Sequence, residues 1–379
     1  MTTFLGVPGR TAPAAGCDCR SCPWYAGADA QPGVTIARLC SGTNSDCSYC
    51  GCARTVGGRA PGDAAPCAEC PIRCGSRSDI TAWMADLGDT LEFDDLTLTR
   101  PLPGGLPTFI PQVDGSGTAE LDAAAQWPAY AVGLRRVFSP VTHAIYPRWQ
   151  TTEATAAQIL GVGPGTLTVL SGYGEDPLVE AFWTRRRRDR LVDRLAALQF
   201  DLVLAPNYSI YGNWPRTEHL INMRRCLMIA AEFAGAGVPA VPNLYWYRLE
   251  DLQRYVDWIA DTSPPAIAVN VQTVREIRNW DSWAVPGLYW LAENIPADMP
   301  VILTGLSRHD RIATAVQLFG PRLVLVSQNP AQYALHGAVM TAHGREDRHA
   351  RAADAFAASV RYMASTLPVT RLAATGHSR

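Results

Sequence analysis

The sequence predicts an α/β fold, a (β/α)8 TIM-like barrel preceded by a Cys-rich metal-binding N-terminal segment. Three observations carry that expectation. Short apolar runs alternate with helix-length stretches through most of the chain, the residues after each run are polar, and ten of the eleven cysteines fall between Cys17 and Cys74. Consecutive parallel strands need a crossover, and an intervening helix supplies it, so this alternation implies a parallel sheet. The chain divides into a Cys-rich segment (1–80), a connector (81–104), a barrel domain (105–367) and a tail (368–379).

In the head the thiols read Cys17-Asp-Cys19-Arg-Ser-Cys22, then Cys40, then Cys47-Ser-Tyr-Cys50-Gly-Cys52, then Cys67-Ala-Glu-Cys70 and Cys74. A two-residue gap lets two thiolates converge on one ion, and crowded thiols in a reducing compartment favour metal over disulfides. The first histidine is His143, so a site made from the head alone is all-cysteine. Zinc and an iron-sulfur cluster both accept such ligands. Cys70 and Cys74 are not followed by the third cysteine that a CxxxCxxC radical signature needs.

In the connector, Asp79 to Gly88 reads as a short helix ended by glycine and Thr90 to Thr99 alternates like a half-exposed strand. Pro101, Pro103, Gly104, Gly105 and Pro107 then mark the boundary. In the body, strands are expected at Phe109–Val113, Tyr130–Leu134, Leu167–Leu170, Leu202–Ala205, Ala240–Leu244, Ile267–Val271, Val301–Leu303 and Leu323–Val326. Helices are expected at Thr152–Leu160, Pro177–Leu198, Thr217–Ala234, Leu249–Ala260, Trp283–Asn294 and Ile312–Phe319, with a closing helix over residues 345–367. Eight strands favour a barrel over a doubly wound sheet, and no GxGxxG follows a strand to suggest a dinucleotide site.

Residues beyond the strands of a barrel converge on one rim. Here they include Glu175 and Asp176; Asn207, Tyr208 and Tyr211; Asn243 and Trp246; Asn270 and Gln272; His309 and Asp310; Gln328 and Asn329. Amides offer a donor and an acceptor, as reading the edge of a heterocycle requires, and aromatic rings stack on its face. Each amide could equally cap a helix or satisfy a loop. All 33 basic residues are arginine, so a Schiff-base lysine and a P-loop lysine are excluded. That leaves carboxylate, histidine, serine and tyrosine as reactive groups on the rim, of which carboxylates suit glycosidic chemistry: Asp176 first, with Glu175 and Asp310. Cys226 falls in the apolar pattern of its helix and reads as core. Net charge of -2 argues against a globally basic nucleic-acid binder, and the absence of an apolar run of membrane length or of a signal segment suggests a cytoplasmic protein without a membrane partner.

The pattern Pro206-Asn207-Tyr208-Ser209-Ile210-Tyr211, then Trp214-Pro215-Arg216 opening a helix with Asn222 and Arg224-Arg225, then Val238 to Trp246, resembles an uncharacterised family of bacterial and phage proteins over about residues 165–275. That resemblance implies a phage or mobile-element setting and no particular activity. The Cys17-Cys19-Cys22 spacing is similar to the zinc motif of tRNA-guanine transglycosylases, which also join it to a (β/α)8 barrel. In that family the motif follows most of the barrel and is completed by a histidine; here it precedes the barrel. The expectation is an enzyme acting on a nucleobase or nucleotide in nucleic acid, with base exchange as the chemistry the second resemblance implies. A non-catalytic metal-stapled binding module and an iron-sulfur redox enzyme are the alternatives. Nucleic acid and a small heterocyclic substrate are the expected partners.

Overall fold

A computed structural model describes residues 80–151, 153–210 and 216–368. The ten clustered cysteines, Tyr211 and the tail lie outside the described residues. The chain forms two compact units, 1–92 with 209–225, and 93–208 with 226–379.

The larger unit holds a parallel, barrel-like sheet. Its strands are β1 (Phe109–Val113), β2 (Ala129–Gly133), β3 (Leu167–Ser171), β4 (Leu202–Leu204), β5 (Ala240–Val241), β6 (Asn243–Leu244), β7 (Ile267–Asn270), β8 (Val301–Thr304) and β9 (Leu323–Ser327), in the order β5-β4-β3-β2-β1-β9-β8-β7-β6. The first and last members of that order are separated by Pro242 alone. Val241 pairs with Leu204 on one side, and Asn243 pairs with Ala268 on the other. Chain continuity therefore joins the two ends of the sheet. Proline has no N–H to give to either neighbour, which is where a strand can change partners. Its carbonyl accepts from Ala268 N at 2.9 Å, and the Asn243 side-chain amide donates to the Ala205 carbonyl, bracing the change.

Side chains alternate along a strand with period two. One face of this sheet gathers Ile110, Ala129, Ala131, Val169, Leu202, Leu204, Val241, Ala268, Ile302, Val324 and Val326 into a single buried cluster. Small residues on β2 and β7 sit among branched residues on β1, β4, β8 and β9, the interdigitation by which a barrel interior fills. The other face packs on helices, as where Tyr130 of β2 stacks on Phe356 of the closing helix at 6.3 Å.

Helices follow the strands: α2 (Thr118–Ala125), α3 (Leu134–Val137), α4 (Ala156–Leu160), α5 (Asp176–Arg185), α6 (Leu191–Ala196), α7 (Arg216–Gly235), α8 (Leu249–Thr262), α9 (Ile277–Asn279), α10 (Val285–Asn294), α11 (His309–Phe319), α12 (Asn329–Ala334) and α13 (Ala352–Ser365), while α1 (Ile80–Asp86) precedes the sheet. At α4 the Thr155 side chain accepts from Gln158 N and the Gln158 side chain from Thr155 N, a capping box that starts the helix at Ala156, and Gly161 at φ 69° ends it. The single helix expected over Pro177–Leu198 is two, broken at Arg190 with φ 49°. Arg186 turns inward there, over the Trp183 ring at 3.4 Å and paired with Glu232 at 3.1 Å, whereas Arg188 stays exposed. Five residues of π-helix, Trp280–Ala284, join α9 to α10. Cys226 is buried core, with Tyr208 N–H directed at its sulfur.

The strand expected at Thr90–Thr99 does not form. Its alternation is real, with Phe93, Leu96 and Leu98 buried between exposed residues, but these anchors hold an irregular strap instead of a ladder. Phe93 stacks on Tyr255 of α8 at 5.5 Å, and Trp258 donates to the Leu96 carbonyl at 2.7 Å. The closing helix expected over residues 345–367 starts only at Ala352, because residues 345–347 belong to an unexpected hairpin, β10 (Ala338–Thr341) with β11 (Gly344–Asp347).

In the smaller unit, Arg224 of α7 donates to the carbonyls of Leu87, at 2.8 Å, and Glu92. Arg225 lies over the Trp83 ring and donates to Asn222, which donates to the Ser209 carbonyl at 2.7 Å. Asn222, Arg224 and Arg225 thus bind protein backbone and one another. Among the described residues no helix is long and apolar enough to cross a membrane.

Gly172 is where β3 exits against β4. Its N–H donates to the Leu204 carbonyl at 2.8 Å, and a Cβ there would meet that oxygen and Pro206 N at 2.5 Å. Gly172→Ala is expected to destabilise the fold by about 1–3 kcal/mol, because backbone rather than a flexible side chain must yield. A thermal melt unchanged from wild type would contradict this packing.

Candidate binding cavity

The alternation that builds the interior also determines what lies above it. Two residues beyond Ile110, Val169, Ala268, Ile302 and Val326, on the same face, stand Gln112, Ser171, Asn270, Thr304 and Gln328. The sheet interior therefore ends in a polar layer at the carboxyl ends of its strands, the place where parallel α/β proteins bind ligands. A cavity of about 250 Å³ opens there. These five residues line it, together with Tyr173, Gln272, Arg275, the turn Gly305-Leu306-Ser307, Val326, Ser327 and Asn329.

Local packing fixes these groups. Asn270 donates to Thr304 Oγ1 at 2.5 Å and accepts from Gln272 N at 3.0 Å, linking the ends of β7 and β8. Gly305, at φ 85°, lets β8 pass close to Gln272, whose backbone a Cβ would meet at 2.5 Å. Gln112 lies over Gly133, where a Cβ would come within 3.2 Å of its amide nitrogen. Ser327 Oγ accepts from Asn329 N at 3.3 Å. The buried Asn329 Nδ2 has no hydrogen-bond partner among the described residues, a donor available to an acceptor on a ligand.

The loop after β7 is clamped from the side. Arg311 of α11, 5% exposed, donates to the carbonyls of Val274 and of Arg275, the latter at 2.9 Å, and its guanidinium lies 4.7 Å from the Trp280 ring centre. Burial lowers its pKa, but arginine stays charged near neutral pH.

No carboxylate, histidine or cysteine lines the cavity, and Arg275 is its one charged residue. Burial pushes the Tyr173 phenol above its ordinary pKa, reinforced by Tyr245 and Asp176 and opposed by Arg275. Burial pushes Tyr245 up as well. Both are neutral donor-acceptors at physiological pH. Behind Tyr245 stands an aromatic stack, with Trp283 5.1 Å from Tyr245 and 4.6 Å from Trp246.

Of the sequence candidates, Asn270, Gln272, Gln328 and Asn329 come together on the lining. Asn207 is buried with an unpartnered Oδ1, and Asn243 braces the strand junction. Tyr208 is fully buried edge-on to Trp183, 5.8 Å away, and Trp246 is buried on Trp283. His309 Nδ1 faces the Tyr362 hydroxyl at 3.5 Å. None of these five lines the cavity. Among the carboxylates, Glu175 pairs with Arg135, and Asp310 is held by Arg308 at 2.7 Å, which keeps its pKa below the ordinary range. Asp176 occupies the first turn of α5, close enough for its charge to act on Tyr173 and Tyr245. Glu175 is the N-cap residue of α5 and makes no side-chain cap there.

Gln112, Thr304, Ser327 and Arg275 were not anticipated. Gln112 and Thr304 were marked in the sequence by being in phase with the inward apolar residues Ile110 and Ile302; Ser327 and Arg275 carried no such signal. Compared with models of known protein families and with curated proteins, the chain matches none. Among the described residues no group of three or more His, Cys, Asp or Glu could hold a metal ion.

Replacing Arg311 with methionine keeps its apolar stem and removes the carbonyl clamp. Arg311→Met should lower stability by about 2–4 kcal/mol through the lost charged hydrogen bonds. A denaturant midpoint equal to wild type would show that the clamp contributes nothing.

Proposed function

We propose that the chain is an enzyme acting on a nucleobase or nucleotide in nucleic acid, with the amide-lined cavity as the site that reads the heterocycle. The observation that carries this reading is the lining: five side-chain amides and four hydroxyls from Ser and Thr, with one charged group, at the carboxyl ends of a parallel sheet. Neutral groups that both donate and accept suit a ring edged with carbonyls and ring nitrogens. Ligand pockets for drug-sized molecules run to roughly 300–1,000 Å³, so this cavity suits a single small unit rather than a length of polymer. With Ala240–Leu244 taken as one strand interrupted at Pro242, the architecture reads as a (β/α)8 barrel, which supports a site at this mouth.

Asp176 is the proposed reactive carboxylate, ahead of Glu175 and Asp310, because its charge acts on Tyr173 of the lining and on Tyr245. Glycosidic exchange calls for a negative charge beside a developing oxocarbenium and a proton for the departing base. Base exchange of the transglycosylase type is the reaction proposed, and the family resemblance supports a phage or mobile-element setting. The second reading, a non-catalytic binding module, is favoured by the absence of a carboxylate on the lining itself.

Exchange of radiolabelled base into RNA or DNA tests the pair. Wild-type protein should turn over, and Asp176→Asn should lose at least about a hundredfold in rate with its melt preserved, as expected for a reactive group that is not structural. Base binding without turnover would select the binding module. Undiminished binding in both Asn270→Ala and Gln272→Ala would remove the amide reading altogether.

Ten cysteines with repeated two-residue gaps also support zinc or an iron-sulfur cluster in the head, held by Cys17, Cys19, Cys22, Cys40, Cys47, Cys50, Cys52, Cys67, Cys70 and Cys74. Anaerobically purified protein should contain about one metal site or more per chain, zinc leaving it colourless and iron-sulfur giving visible absorption. Metal well below one equivalent would exclude both.

A further inference from the structure

We infer that the cavity's ligand is a nucleoside monophosphate unit, its phosphate seated on Arg275 and its base on the amides; this rests on the base-reading role proposed above. Arginines beyond neighbouring strand ends are matched to carboxylates: Arg135 to Glu175, Arg136 to Asp114 at 2.8 Å, and Arg308 to Asp310 at 2.7 Å. Arg275 differs from these three. Its guanidinium makes no ion pair or hydrogen bond to any described residue, yet it lines the cavity. Its backbone is pinned, with its carbonyl held by the buried Arg311 and its N–H bonded to the Thr273 carbonyl at 2.9 Å.

No acidic group stands on the lining to pair with Arg275, and an anion on the ligand is the group that would do so. A guanidinium fork matches phosphate oxygens two at a time. The neighbouring donors agree: the Ser307 hydroxyl and the Nδ2 of Asn329, buried without an acceptor among the described residues, are available to oxygens of the same ligand. A neutral base alone would leave Arg275 unmatched. A phosphate alone would leave the amides of Gln112 and Gln328 on the lining without a ligand group to read.

Isothermal titration of the full-length protein with each nucleoside, its 5′-monophosphate and inorganic phosphate tests this. The monophosphate of the recognised base should bind at least about tenfold more tightly than its nucleoside, a preference that falls as salt rises. Arg275→Gln should erase the preference while leaving nucleoside affinity unchanged, and Arg308→Gln, at an exposed and already paired arginine, should keep it. Equal affinity for nucleoside and monophosphate, or a preference that survives Arg275→Gln, would overturn the inference while leaving the base-reading role intact. Inorganic phosphate binding as tightly as every monophosphate would remove the base-reading role instead. No binding of any of the three would remove both.

Discussion

The structure depends on one residue without an N–H. A parallel sheet of this length has two edges, and each exposes a row of unpaired backbone groups unless something covers it. Here the two edges are consecutive pieces of one segment, and Pro242 marks the change of side. Val241 completes the ladder with β4, Asn243 opens the ladder with β7, and the Asn243 amide supplies the Ala205 carbonyl with a donor as backbone pairing shifts away. The strand ends are thereby held in a ring, and the layer of side chains above the core inherits its geometry from that ring.

Core and cavity are parts of a single ladder, so the site needs little machinery of its own. Each inward position is set by the one two residues before it: Val169 places Ser171, Ala268 places Asn270 and Ile302 places Thr304. Polar groups in such positions cost about 1–3 kcal/mol each when left unmatched. Part of that cost is removed internally, by the bonds from Asn270 to Thr304 and from Gln272 to Asn270. Beside that layer, Asn329 Nδ2 keeps no hydrogen-bond partner among the described residues.

This organisation was legible in the sequence to the extent that it is periodic. The eight apolar runs fell where strands form because buried parallel strands are short and apolar throughout, and Asn270, Gln272, Gln328 and Asn329 were found because they end such runs. Gln112 was passed over although Phe-Ile-Pro-Gln-Val places it in phase with Ile110. Spacing could not reveal what depends on three-dimensional contact. The break after Arg185 follows from Arg186 seeking Trp183 and Glu232, and the alternation at Thr90–Thr99 reflects single anchors on α8 and elsewhere, not a ladder. Tyr208 and Trp246 lie in polar-rich stretches, yet each had a buried aromatic partner distant in sequence.

A chain whose basic residues are all arginine has a physical means of fixing its loops that lysine would not give. The guanidinium is planar, keeps its charge when buried and presents donors in a fork, so one side chain can hold two carbonyls at a set separation. Arg311 does this for the loop after β7, and Arg322 for the end of α10 through Ala292 and Pro296 at 2.9 and 2.8 Å. Within the smaller unit Arg224 does the same for Leu87 and Glu92. Aromatic rings flank two of these forks, Trp280 at Arg311 and Phe319 at Arg322, making burial of the charge tolerable. The consequence for the cavity is direct: the loop that carries Arg275 is held by its backbone, which leaves the Arg275 side chain itself free of structural duty.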